Sequence, residues 1–182
     1  MKKIIYVSRL LKWIAIAAIA ILPVAEAGYW ITNGYPFLES YIPFDALPSF
    51  GGWPVTWERL NDFQKFLGFM INLAPLSFSM IALSCLARLF SAFQRLVLFD
   101  RENVVILKRA GWALVWGQIV YPVYVAALSL ALTYRNPVGE RNLTIGFGGH
   151  QFEILAIGLS IILASWVFEA AVKIHEEQQA TV

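Results

Sequence analysis

Four apolar stretches set the pattern of this chain, at about 13–31, 66–87, 110–133 and 152–172, and none holds a lysine or arginine in its interior. A hydrocarbon core about 30 Å thick needs about 20 helical residues at about 1.5 Å each, so every stretch is long enough to cross a bilayer. The pattern predicts an all-α fold, an integral-membrane four-helix transmembrane bundle forming a single membrane domain over 1–182. Pro23, Pro75 and Pro122 fall inside the first three spans. Lipid-embedded helices accept proline where neighbours satisfy the freed carbonyls, and each is expected to mark a kink.

The connections carry patterns of their own. Residues 32–65 form the larger outer loop, with Pro36, Pro43, Pro48 and Pro54 among many aromatics. From Trp57 the spacing of Leu60, Phe63 and Leu67 reads as a helix running into the second span, with Thr56 as its N-cap. The inner connection, 88–109, places Leu89, Phe93, Leu96 and Val97 on one helical face, an amphipathic pattern suited to the membrane interface. A second helix restarts at Asp100, which can cap it. Glu102 is favourable in its first turn, and Phe99 can staple onto Val104. The second outer loop, 134–151, is glycine-rich and expected to be flexible; its Asn142-Leu143-Thr144 fits a glycosylation sequon that matters only in a eukaryotic secretory pathway.

Composition strengthens the membrane reading. Hydrophobic residues make up 59% and charged residues 14%, against roughly 45–50% and about 25% in soluble domains. A soluble domain of this length could not bury so much apolar surface. Charge then sets the orientation. The N-terminus, the 88–109 connection and the C-terminal tail hold Lys2, Lys3, Arg9, Lys12, Arg88, Arg95, Arg101, Lys108, Arg109 and Lys173, while the other two loops hold only Arg59, Lys65, Arg135 and Arg141. Positive residues stay inside, so both termini are expected to be cytoplasmic, with Tyr29, Trp30, Trp53 and Trp57 at the outer headgroup level. A rival reading takes Lys2, Lys3, the run Ile14–Leu22 and Ala25-Glu26-Ala27 as a secretory signal cleaved near residue 27. The net charge of +2 comes without a basic stripe, which sets nucleic acid aside as a partner.

Polar groups inside hydrocarbon are costly and draw functional suspicion. Ser79, Gln118 and Ser165 fall at similar depths on spans two to four and could bond across helices, as packing glue in the ordinary reading and as a transport site in the sharper one. Asn72 has no obvious partner at its level. Glu26, Glu153 and Glu169 lie near span ends, where a carboxylate can reach the headgroups or line a cation path; Arg88 or Lys12 could pair with Glu169. Small residues recur at four-residue spacing, Ala113 with Gly117 and Ala156 with Ser160 and Ala164, marking faces where helices pack or oligomerise. The single cysteine, Cys85, reads as a small buried hydrophobe. His150 and His175 are expected on opposite sides of the membrane. No catalytic set, metal spacing, cofactor motif or phosphate loop emerges.

Two segments resemble a known bacterial family. Leu98-Phe99-Asp100-Arg101-Glu102-Asn103, followed by Leu107-Lys108-Arg109-Ala110-Gly111-Trp112, is similar to the entrance to the third span in domain-of-unknown-function family 2975. Phe168-Glu169, running through Glu176-Glu177-Gln178 to Thr181-Val182, resembles that family's acidic tail, although His175 and Gln179-Ala180 depart from it. The resemblance spans the second to fourth helices. It implies a four-helix inner-membrane protein without an assigned activity, some of whose relatives are encoded beside a small helix-turn-helix regulator. The expected function is therefore association: an accessory, sensory or regulatory subunit bound to another membrane protein or to itself. Its docking face would comprise Phe93, Leu96, Phe99, Asp100, Glu102 and Asn103, together with the tail. The alternative is a small oligomeric transporter using Glu26, Gln118 or Glu169. Outer-face catalysis by His150 and Glu153 is the remotest reading.

Overall fold

A computed structural model describes residues 2–34, 57–97 and 100–180. Four long helices account for nearly all of them: α1 (Lys2–Ile31), α2 (Asp62–Gln94), α3 (Arg101–Thr133) and α4 (Gly149–Ala180). All four are long and apolar enough to cross a membrane, and no strand occurs among the described residues. The protein is thus an all-α, multi-pass membrane protein of the four-helix type. At about 1.5 Å per residue, helices of 30 to 33 residues measure roughly 45–50 Å, well beyond a hydrocarbon core of about 30 Å. The excess lies mostly at the lysine- and arginine-bearing ends. Large apolar side chains such as Val123 (68% exposed) and Val167 (64%) face outward, an arrangement suited to lipid or to another apolar surface.

Local signals explain where the helices begin and end. Asn61 caps α2: its Oδ1 accepts from the Gln64 N–H at 2.8 Å, and Gln64 Oε1 accepts from the Asn61 N–H at 3.2 Å, a reciprocal capping box. The helix expected to run unbroken from Trp57 is therefore a 3-10 turn, Trp57–Arg59, followed by a fresh start; Thr56 lies outside the described residues. α1 closes on two left-handed residues, Asn33 and Gly34, with the Gly34 N–H donating back to the Tyr29 carbonyl at 2.8 Å. The amphipathic pattern of the 88–109 connection belongs to the ends of α2 and α3, leaving the interval 95–100 between them. Within it, Leu96 has a φ of 61°, a strained choice for a branched side chain. Asp100 occupies the capping position, its Oδ1 accepting from the Glu102 N–H at 3.3 Å; its expected neighbour Phe99 lies outside the described residues.

The chain divides into two compact units, Met1–Ala20 with Ser77–Ile119 and Gly148–Val182, and Ile21–Leu76 with Val120–Phe147. The divisions within α1, α2 and α3 fall within three residues of Pro23, Pro75 and Pro122, and each helix continues through its proline. In the first unit α3 and α4 cross at a glycine pair, Gly111 and Gly158, with Ile162 and Ser165 buried on the same face of α4. In the second, Trp30, Leu60, Val125, Leu128 and Leu132 form the core. The Gln64 side chain reaches from α2 to the Leu132 carbonyl at 3.0 Å, satisfying one of the acceptors that the end of α3 would otherwise leave open. Residues 134–147, expected to be flexible, are tied back to that end. The Asn142 N–H donates to Thr133 Oγ1 and the Thr144 N–H to Ser129 Oγ, both at 3.0 Å.

Candidate functional site

The second unit contains a connected polar cluster built from three helices. Glu26 on α1 accepts from Trp30 Nε1 at 2.8 Å and from Asn72 Nδ2 of α2 at 2.7 Å through the same oxygen, Oε1. The Tyr124 hydroxyl of α3 donates to Asn72 Oδ1, which fixes the amide with its nitrogen toward Glu26. Asn72 therefore has two partners, where depth counting along its own span found none. Tyr29, Trp30 and Trp57 pack edge to face beside the cluster, with centroids 5.2 to 6.0 Å apart. Among the described residues both of Glu26's donors are neutral and no basic side chain pairs with it. Chemically this arrangement can pin α1, α2 and α3 together, or present a carboxylate to a proton or cation.

The two uses predict different responses. Glutamine at position 26 keeps an acceptor oxygen for both Asn72 and Trp30, so Glu26→Gln is expected to leave thermal stability nearly unchanged. Glu26→Ala leaves two donors unpaired in apolar surroundings and is expected to cost about 1–3 kcal/mol. Unfolding followed by tryptophan fluorescence in detergent reads both variants. A Gln variant that melts as low as the Ala variant would mean that the negative charge itself is required.

The first unit carries the second constellation, where α3 and α4 extend past their apolar runs. Arg101 and Glu176 form a two-pronged ion pair, Nε to Oε1 at 2.9 Å and Nη2 to Oε2 at 2.6 Å. A groove of about 520 Å³ lies beside it, lined by Val104, Val105, Trp166, Glu169 and Lys173 among others. Exposed bridges of this kind contribute little stability, typically about 0–1 kcal/mol. The two prongs join the helix ends in one geometry without adding much to its stability. Glu169 lines the groove on the Arg101 side, and no ion pair joins it to Arg88 or Lys12 among the described residues.

Ser165 is fully buried and donates to the Ile162 carbonyl of its own helix at 2.6 Å; Gln118 is half-buried and Ser79 exposed. No hydrogen bond joins these three to one another among the described residues. Ala113 and Gly117 are buried, with Gly117 against Phe78, while Ala156, Ser160 and Ala164 face outward. Of the docking candidates, Leu96 and Glu102 are exposed and Phe93 is half-buried. Asn103 is buried, donating through Nδ2 to the Val97 carbonyl at 2.8 Å. His150 and Glu153 approach to 3.5 Å on the exposed first turn of α4. No group of three or more potential metal ligands occurs among the described residues.

Comparison with known proteins gives two findings. A family described as "Protein of unknown function (DUF2975)" matches residues 40–182. A phosphatidate cytidylyltransferase of Pseudomonas aeruginosa (strain PAO1) is 29% identical over 157 residues, covering 86% of this chain and 45% of that protein. The chain thus spans less than half the length of that curated relative. No solved structure matches.

Proposed function

The chain belongs to the DUF2975 family, and we propose that it works in a bacterial inner membrane as a non-enzymatic accessory, sensory or regulatory subunit. Both ends face the cytoplasm in this reading, as the ten-to-four distribution of lysine and arginine favours. The observation that carries it is the pair of helix ends held by Arg101 and Glu176, standing clear of the apolar runs beside the exposed turn of Leu96 and Val97. Two helix ends joined by an ion pair, an open groove between them and two exposed aliphatic side chains on the nearby turn form a surface suited to a helix or loop of another membrane protein. Nothing comparable supports catalysis: His150 and Glu153 are exposed on one helical turn, and the cytidylyltransferase likeness covers under half of that enzyme.

The test compares complexes extracted gently from native membranes by native mass measurement. The wild type is expected to carry a foreign subunit in fixed stoichiometry. Leu96→Asp with Arg101→Glu is expected to reduce that subunit at least about ten-fold, the effect of losing about 1.4 kcal/mol at an interface, while the protein's own helicity stays intact. A homo-oligomer alone, or a partner retained in full by the variant, removes the proposal. The Glu26–Asn72–Tyr124 cluster favours the alternative, a small transporter. Ion or solute flux in reconstituted vesicles that Glu26→Gln abolishes without loss of stability would support that reading.

A further inference from the structure

A second groove in the first unit differs from the Arg101 groove in its charge. It holds about 500 Å³ between α2 and α3, lined by Phe78 and Ile81 on one side and by Val105, Lys108, Arg109, Trp112, Ala113 and Trp116 on the other. Among the described residues its lining contains two cations and no carboxylate, whereas the Arg101 groove balances Arg101 and Lys173 with Glu169 and Glu176. A third cation reaches the same level. Arg88 and Arg109 both lie within electrostatic range of Cys85. The contact between Phe78 and Gly117 sets the register: Arg88 lies about 15 Å along α2 from it, and Lys108 and Arg109 lie about 12–14 Å back along α3. None of the three cations makes an ion pair among the described residues, and all three are exposed.

Along α3 the groove therefore reads as a ladder. Cations come first; one turn on are Trp112 and Ala113, and another turn on is Trp116. The two indoles lie 6.4 Å apart, tilted by 32°. Past the cations the lining is Phe78, Ile81, Trp112, Ala113 and Trp116, apolar but for the indole N–H groups, on helices long and apolar enough to cross a membrane. We propose that this groove binds a phospholipid with a net negative headgroup. Its phosphate sits among Arg88, Lys108 and Arg109, its glycerol region lies against Trp112, and one acyl chain runs past Ile81 and Trp116. Charge complementarity selects this occupant. A second copy of the chain in a symmetric contact would set like cations against each other, and a zwitterionic lipid leaves the excess positive charge unbalanced.

The test uses the full-length protein in phosphatidylcholine vesicles containing a minor fraction of lipid with brominated acyl chains, either phosphatidylcholine or phosphatidylglycerol. Bromine quenches indole fluorescence at contact. The signal from this groove is the difference between wild type and the Trp112→Phe/Trp116→Phe variant. The anionic lipid is expected to quench it at about five-fold lower mole fraction than the zwitterionic one. Arg88→Gln/Lys108→Gln/Arg109→Gln is expected to bring the two lipids to parity. Lys3→Gln/Arg9→Gln/Arg95→Gln, which removes the same charge elsewhere, is expected to keep the preference. Parity in the wild type overturns the proposal. So does loss of preference in the second triple variant, which would mean that diffuse surface charge is responsible. Inorganic phosphate, at ionic strength matched with chloride, is expected to leave the difference in place; if it erases it, the cations bind a free anion rather than a lipid.

Discussion

Replacing Gly68 with alanine is expected to lower the apparent melting temperature by about 5–10 °C, although the same change in an open helical position stabilises by about 1 kcal/mol. The sign follows from what lies over Gly68. A methyl group built there would sit 2.2 Å from Cη2 of Trp30 and 2.5 Å from its Cζ3. Trp30 is only 4% exposed, packs in the core with Leu60, Val125, Leu128 and Leu132, and is tethered through Nε1 to Glu26 at 2.8 Å. The ring cannot slide aside without opening that core or breaking that bond. Overpacking of this kind costs about 1–3 kcal/mol or more, and at this chain length 1 kcal/mol corresponds to about 2–4 °C. Tryptophan fluorescence reports the transition. A smaller ring should relieve the clash, so Trp30→Phe is expected to cost less in the Gly68→Ala background than alone, a coupling that only residues in contact display. If Gly68→Ala melts at or above the wild type, the indole does not lie on this glycine.

The four helices were legible because crossing a bilayer demands length and apolarity, both of which a sequence displays directly. Which face of each helix meets its neighbour was far less legible. In water, the buried stripe of a helix stands out against a polar one. In lipid both faces are apolar, and that contrast disappears. Hence the spacing of Ala156, Ser160 and Ala164 marked a close-packing face, yet within the described unit α4 turns Gly158, Ile162 and Ser165 inward and those three outward. Glu26 was legible as a carboxylate near a span end. Its bonds to Trp30 and Asn72 were not, because depth along an axis carries no information about rotation around it. The 88–109 pattern was ambiguous for a related reason: a helix emerging from hydrocarbon carries the same one-sided apolarity as a separate helix lying on the surface. Capping chemistry located one start and missed another: Asp100 marks the start of α3 as its sequence context predicts, whereas α2 is capped by Asn61 after a separate turn.

The inward face of α4 leads to the other large expected effect. Gly111→Leu is expected to lower the melting temperature by about 10 °C or more, and Gly111→Ala by several degrees, because the close approach of α3 and α4 leaves no room for a side chain. A methyl on Gly111 would lie 2.7 Å from Cγ1 of Ile162 and 3.0 Å from the Gly158 carbonyl oxygen. Ile162 is buried and the carbonyl belongs to a helix, so neither yields cheaply. The reciprocal site is slightly less severe: a methyl on Gly158 would meet Val115 Cγ2 at 3.0 Å and the Gly111 carbonyl at 3.1 Å. Overpacking at a backbone-to-backbone contact belongs at or above the upper end of about 1–3 kcal/mol, since relief requires separating the helices. Cys85, the single cysteine, provides the readout, because a thiol-reactive dye reports when the first unit opens. Ala164→Leu adds comparable bulk on the outward face and is expected to melt within about 2 °C of the wild type, as surface substitutions generally do. The opposite ranking, with Ala164→Leu damaging and Gly111→Leu neutral, would move the packing face of α4 to the small-residue stripe and overturn the crossing described here.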